Sequence, residues 1–202
     1  MKLEGIPANV VMGARGAGKT SFILRLLAGK PPEERWAILV NDFGRATIAS
    51  VALPSHELAV RDVAGCICCT AQVTLRTALV ALIRESQPRR LLVEASAAAE
   101  PESLLSVLRE RGIAASIELG PTLTVIARHQ LSDPRYALSE AYRKQLNMAD
   151  VVLTRAAVNE WELGAARAEL AAHGFAAKRV ERADTFGIDA LNSTPPGAGG
   201  RA

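Results

Sequence analysis

One run of eight residues constrains the fold of this chain more than any other feature. Gly13-Ala14-Arg15-Gly16-Ala17-Gly18-Lys19-Thr20 satisfies G-x-x-x-x-G-K-[ST] at every fixed position. The apolar run Val10-Val11-Met12 precedes it. From Lys19 to Leu27 the apolar residues Phe22, Ile23, Leu26 and Leu27 recur at helical spacing. A strand, a glycine-rich turn and a helix in that order turn successive backbone N–H groups, and the positive end of the helix, toward one point. Such a point suits the phosphates of a nucleotide. The candidate binding residues are Gly13, Ala14, Gly16, Ala17, Gly18, Lys19, Thr20 and Ser21. Lys19 is expected to reach the β- and γ-phosphates, and the Thr20 hydroxyl to ligate Mg²⁺.

Further apolar runs predict strands at Trp36-Ala37-Ile38-Leu39-Val40, Leu58-Ala59-Val60, Leu91-Leu92-Val93, Leu123-Thr124-Val125-Ile126 and Val151-Val152-Leu153, with a last short one at Lys178-Arg179-Val180. Helical spacing connects them. It is seen at Leu75, Leu79, Leu82 and Ile83 before Pro88, from Pro101 to about Gly112, over about Pro134 to Met148, and from Asn159 to Ala172 before Gly174. Alternation of this kind predicts an α/β domain of the P-loop NTPase type, with a mostly parallel β-sheet flanked by helices. One nucleotide-binding domain is expected over 1–186, with a tail over 187–202. The segment from Asn192 onward is rich in Pro and Gly and is expected to be disordered.

Composition narrows the function classes. Among 202 residues, 49% are hydrophobic and 22% charged, which excludes a mainly disordered chain. No apolar run approaches the ~18 residues of a membrane helix. The net charge of +3 is spread out, with basic residues no denser than pairs such as Arg89-Arg90. A nucleic-acid footprint would be clustered, so no nucleic-acid partner is expected. The opening residues lack the apolar core and small-residue cleavage site of a signal peptide, and a cytoplasmic location is expected.

Two strand ends carry acids. Asn41-Asp42-Phe43-Gly44 follows the second strand, and Glu94 ends the strand begun at Leu91. Ligands of such sheets bind at the carboxyl ends of the strands. Asp42 and Glu94 are therefore candidates to hold Mg²⁺ through water or to orient an attacking water, unless they are only solvated strand-end carboxylates. With Lys19 they form the catalytic candidates. All three cysteines fall in Gly65-Cys66-Ile67-Cys68-Cys69. An odd, clustered count argues against a disulfide framework. Three thiolates suit Zn²⁺ or another thiophilic transition metal and leave one tetrahedral position open for transfer. Redox chemistry or plain burial of the thiols are the other readings. One chain offers no evident fourth ligand, since His56, His129 and His173 are scattered, so a metal shared by a homodimer is a further option.

A Gly-Lys-Thr loop, an Asn-acid-Phe-Gly strand end, a Gly-Cys-x-Cys-Cys motif and a strand-end Glu, in this order, resemble the CobW-like family of P-loop GTPases, relatives of the nickel-handling HypB and UreG proteins. The resemblance covers about residues 6 to 182, the nucleotide-binding domain. It implies GTP (or ATP) and Mg²⁺ as ligands and a metallochaperone or metal insertase role. It also implies Cys66, Cys68 and Cys69 as the cargo site, Thr20 as the Mg²⁺ ligand, and a metalloprotein client.

Departures accompany it. The family's Glu-x-x-Gly reads Glu94-Ala95-Ser96-Ala97, with alanine where glycine would approach the γ-phosphate. The guanine-reading Lys-x-Asp region reads Thr154-Arg155-Ala156-Ala157, with Ala157 in the place of the aspartate. Arg45 and Ala127 stand where relatives tend to carry acids. Three readings follow. The first is a nucleotide-switched metal-trafficking protein. The second is a diverged accessory protein that binds nucleotide and metal without hydrolysis. The third, an ATP-using phosphotransferase, leaves the cysteines unexplained.

Overall fold

The computed structural model describes residues 5–41, 57–62, 71–97, 100–155, 157 and 159–192. The described strands form one sheet: β1 (Ile6–Met12), β2 (Trp36–Asn41), β3 (Leu58–Asp62), β4 (Arg90–Ala95), β5 (Ile117–Leu119), β6 (Leu123–Ile126), β7 (Val151–Thr154) and β8 (Arg179–Arg182). Their order is β3-β2-β4-β1-β6-β7-β8, with β5 also on β1, and the pairings are parallel. The described helices are α1 (Lys19–Ala28), α2 (Ala71–Ser86), α3 (Pro101–Leu108), α4 (Arg111–Ala114), α5 (Arg128–Ser132), α6 (Pro134–Leu138), α7 (Glu140–Met148) and α8 (Glu160–Ala172).

Both faces of the sheet are covered, which explains why its central strands read as unbroken apolar runs. Successive residues of β4 point to opposite faces. Leu91 and Val93 join Leu75, Leu79, Leu104 and Leu108 of α2 and α3. Leu92 joins Phe22, Ile23 and Leu26 of α1, with Phe186 and Leu191. A third cluster packs α7 and α8 on Val152 and Val180 through Leu146, Leu163 and Leu170. Each fully buried side chain of this size contributes about 1.5–3 kcal/mol of transfer free energy. The apolar stripe of α1 therefore fixes the helix start that follows the glycine-rich turn.

Three features differ from the sequence expectations. The single helix over about Pro134 to Met148 is broken at Ser139, which is extended (φ −71°, ψ 119°) and accepts from the Tyr142 N–H at 3.4 Å. A serine hydroxyl offers the backbone a cap in place of a continued helix. β5 carries no sequence signal because it is three residues long. It pairs with Ile6 to Ala8, while β6 pairs with Val11 and Met12, so the two share one edge of β1. Gly120 lies between them, and a Cβ there would sit 2.8 Å from Asn9 Nδ2 and from Leu191 O. The packed chain also runs past 186. Phe186 and Leu191 are buried, a 3₁₀ turn covers Asp189–Asn192, and Asn192 Oδ1 accepts from Arg90 at 2.6 Å. Only 193–202 of the expected tail lies outside the described residues.

Candidate nucleotide-binding site

The turn between β1 and α1 is shaped by glycine at two points of close approach. Gly13 has φ +148°, and a Cβ there would lie 2.5 Å from Val125 O of β6. Gly18 has φ +95°, and a Cβ would lie 2.8 Å from Arg155 Cδ. Side-chain-bearing residues rarely adopt either conformation. Gly18 is also the cap residue of α1, and no side chain among the described residues caps that helix. Its first N–H groups are left for an anion, as a phosphate site requires. Ala17 is buried, and its N–H donates to Ala14 O at 3.1 Å, closing the turn.

Lys19 and Thr20 then point their polar atoms inward. Lys19 is only 6% exposed, and Nζ donates to Gly13 O at 2.9 Å. Thr20 Oγ1 donates to Glu94 Oε1 at 2.7 Å. Glu94 is 2% exposed because β4 ends between β1 and β2, with Val11 and Val40 in register beside it. A hydroxyl and a carboxylate oxygen at the edge of a phosphate loop are hard oxygen donors. They fit Mg²⁺, which takes one or two protein oxygens and completes its shell with phosphate and water.

Two buried glutamines brace this region, and nothing in the sequence pattern marks them. Gln130 of α5 donates from Nε2 to Arg15 O at 3.1 Å and accepts from the Ala127 N–H at 3.0 Å. Gln145 of α7 donates from Nε2 to Ala97 O at 3.2 Å. Its Oε1 is buried without a hydrogen-bond partner among the described residues. Gln145 shares the buried face of α7 with Tyr142 and Leu146, and Gln130 is buried beside Leu131 in α5.

Beside the turn a cleft of about 320 Å³ is lined by Ser21, Phe22, Arg25, Thr154, Arg155, Ala157, Ala183 and Asp184. Arg155 crosses from its rim to cover Gly18. Arg25 lies over the Phe22 ring, with Cζ 5.4 Å from the centroid, and donates to Ala183 O and, at 2.7 Å, to Phe186 O. Burial lowers the Arg25 pKa, and the nearby Asp184 opposes that shift. Asp184 itself is forked by Arg182, Nε to Oδ1 at 3.1 Å and Nη2 to Oδ2 at 2.6 Å, and these bonds hold its carboxyl below the usual aspartate range. Ala157 is 3% exposed and adds no polar atom beyond its backbone.

The structure thus brings Gly13, Gly18, Lys19 and Thr20 together with Glu94, and puts Ser21 at the cleft. Asp42, Cys66, Cys68 and Cys69 lie outside the described residues. Among the described residues no group of three His, Cys, Asp or Glu side chains is placed to hold a metal, and no helix is long and apolar enough to cross a membrane.

An uncapped helix behind a glycine turn, a buried lysine on that turn and a strand-end glutamate beside it define a P-loop nucleotide-binding protein of the α/β class. The sequence profile of the CobW/HypB/UreG nucleotide-binding domain matches residues 7–177, and the chain belongs to this family. It is 35% identical over 146 residues to the zinc chaperone YeiR of Escherichia coli K12, covering 72% of this chain and 44% of that protein. It is 27% identical over 215 residues to the zinc chaperone CobW of Pseudomonas aeruginosa, covering 90% and 57%. The chain therefore spans less than two thirds of these relatives. In fold it resembles the Zn(II)-bound YjiA GTPase from E. coli, with a TM-score of 0.60 at 15% identity over 92% of this chain and 60% of that one. Hydrogenase maturation factor HypB from Archaeoglobus fulgidus gives 0.55 at 13% identity, over 87% and 79%.

Proposed function

We propose that this chain is the nucleotide-driven part of a metal-trafficking protein in the cytoplasm, passing Zn²⁺ or another thiophilic ion to a metalloprotein client. GTP with Mg²⁺ occupies the turn and cleft. Cys66, Cys68 and Cys69 carry the cargo ion. The observation that carries the reading is the hydrogen bond from Thr20 to Glu94, which joins the phosphate loop to the strand end leading toward Ala97. The similarity to proteins named zinc chaperones supports the choice of cargo.

The chain's own groups divide the work. Backbone N–H groups of the turn and the start of α1 hold the phosphates. Lys19, released from Gly13 O, neutralises charge on the β/γ bridge. Glu94, with Asp42 where the sequence places it, orients the water or the magnesium shell. Mg²⁺, when bound, supplies charge neutralisation at the phosphates. Nucleotide and cargo affinities are then linked, and the linkage is reciprocal. The test is a titration of GTP and ATP, each with Mg²⁺, with and without stoichiometric Zn²⁺. A shift of about fivefold or more in GTP affinity on adding Zn²⁺ is the expected result. Equal affinities with and without Zn²⁺ would remove the switch.

The hold of Gln145 on Ala97 favours a second reading, in which the chain binds both ligands without turnover. Steady-state hydrolysis of GTP that responds to added metal would exclude it.

A further inference from the structure

Taking the turn and cleft to be the nucleotide site proposed above, we infer that Arg155 is a phosphate-binding residue. Its guanidinium holds the polyphosphate of the nucleotide alongside Lys19, from the segment whose family counterpart reads guanine. The residue lies at the carboxyl end of the sheet, where ligands of such folds bind. Val151 and Leu153 of β7 pack on the α1 side with Phe22 and Ile23. Two residues on, Arg155 keeps that side. Its N–H donates to Ile126 O at 2.9 Å, so its backbone is fixed against β6. The side chain then lies over the glycine-rich turn: a Cβ on Gly18 would be 2.8 Å from both Cδ and Cζ of Arg155.

The electrostatics of that place call for an anion. Gly18 caps the positive end of α1, and a cation there is unfavourable unless a negative group joins it. Two arginines line the cleft. Arg25 is committed to the carbonyls of Ala183 and Phe186. Asp184, the one carboxylate among the described lining residues, is forked by Arg182 and does not neutralise Arg155. The Arg155 side chain makes no hydrogen bond or ion pair among the described residues. A guanidinium presents five donors in a planar fork that fits two phosphate oxygens at once. Its place over Gly18 puts that fork beside the phosphates that the turn would hold.

The experiment is calorimetric titration of the whole chain with GTP and with inorganic triphosphate, which has neither base nor ribose, each with Mg²⁺. Wild-type protein is expected to bind both. Arg155→Ala should weaken both by a similar factor, about tenfold or more, the worth of one hydrogen bond to a charged group. Arg155→Lys should recover part of both losses, because it restores the charge without the fork. Arg155 is exposed, so both variants should fold, and circular dichroism checks this. Loss of GTP affinity with unchanged triphosphate affinity would make Arg155 a base or ribose contact and overturn the assignment. Tighter binding of both ligands by Arg155→Ala, or no change in either, would overturn it too, since Arg155 would then only cover the turn. So would a wild type that binds GTP and not triphosphate. In each of these cases the site stands. No GTP binding by the wild type would overturn the site and the assignment together.

Discussion

Gly13 and Gly16 lie three residues apart in one turn, and the structure predicts different costs for the same substitution. Both have positive φ, +148° and +78°. Either alanine variant pays roughly 1–2 kcal/mol for a conformation that side chains disfavour. At Gly16 the added methyl meets nothing within 4 Å, so strain is the whole effect. At Gly13 the methyl lies 2.5 Å from Val125 O. Ordinary contact begins at 3.4 Å, so the turn and β6 must separate by 0.9 Å. The obstacle is backbone and cannot rotate away, and forced overpacking of this kind adds about 1–3 kcal/mol. Gly13→Ala should therefore lose roughly 3–4 kcal/mol against about 1.5 for Gly16→Ala. At this chain length that is roughly 10 °C against 4 °C in Tm. Gly13 O also anchors Lys19, so the larger shift should weaken nucleotide binding too. Urea unfolding with matched m-values measures the first effect, and calorimetric titration of GTP the second. Equal losses in the two variants would refute the argument that overlap with Val125, and not glycine's freedom alone, shapes the turn.

Thr20→Val removes the hydroxyl that reaches Glu94 and should abolish most of the Mg²⁺-dependence of GTP affinity while leaving metal-free binding nearly unchanged, as titrations with and without EDTA would show. Phe186 is 2% exposed and packs at 6.2 Å from Phe22, so Phe186→Ala should cost about 3–5 kcal/mol in urea unfolding even though composition places it at the end of the domain. The Asp184 carboxyl is held low, first by its hydrogen bonds to Arg182. Its contribution is therefore present above the ordinary aspartate pKa and is lost only as pH falls through the lower folded value. The stability that this carboxylate lends should accordingly stay flat between about pH 5 and 8 in urea unfolding. A decline starting near neutral pH would point to another group.

The turn proposed to hold the phosphates was legible because its chemistry is local. Glycines, lysine and threonine must follow one another in the turn, and α1 and β1 announce themselves by apolar period. Glu94 was legible as a strand end. The neighbouring cleft was only partly so. Thr154, Arg155 and Ala157 come from the end of β7 and the residues just after it, whereas Phe22 and Arg25 of α1 and Asp184 reach the cleft from segments separated by most of the chain. No spacing rule connects them. Gln130 and Gln145 were hidden for another reason. Their backbone partners, Arg15 O and Ala97 O, lie far away in the sequence, so no local spacing points to them. β5 was missed because three residues cannot display a period.

Whether Ala97 disables nucleotide sensing is a matter of balance between terms of similar size. Its N–H is retained, and a charge-assisted bond from that N–H to a γ-phosphate is worth about 1.5–3 kcal/mol. Against this stand the neutral bond from Gln145 to Ala97 O, about 1 kcal/mol, and about 1–2 kcal/mol if the phosphate-bound turn needs positive φ at an alanine. The two sides nearly cancel, which predicts a weak response of this segment to triphosphate. Ala97→Gly removes the conformational cost alone and should strengthen discrimination between GTP and GDP by about 5–30-fold. Gln145→Leu removes the opposing bond and leaves the Ala97 carbonyl needing water, so it should help less. Hydrogen exchange of peptides spanning Glu94 to Ala97, with GTP and with GDP, reads the same equilibrium directly. If Ala97→Gly leaves the GTP-to-GDP ratio and the exchange pattern unchanged, the segment does not move with the γ-phosphate, and coupling to the metal must run elsewhere.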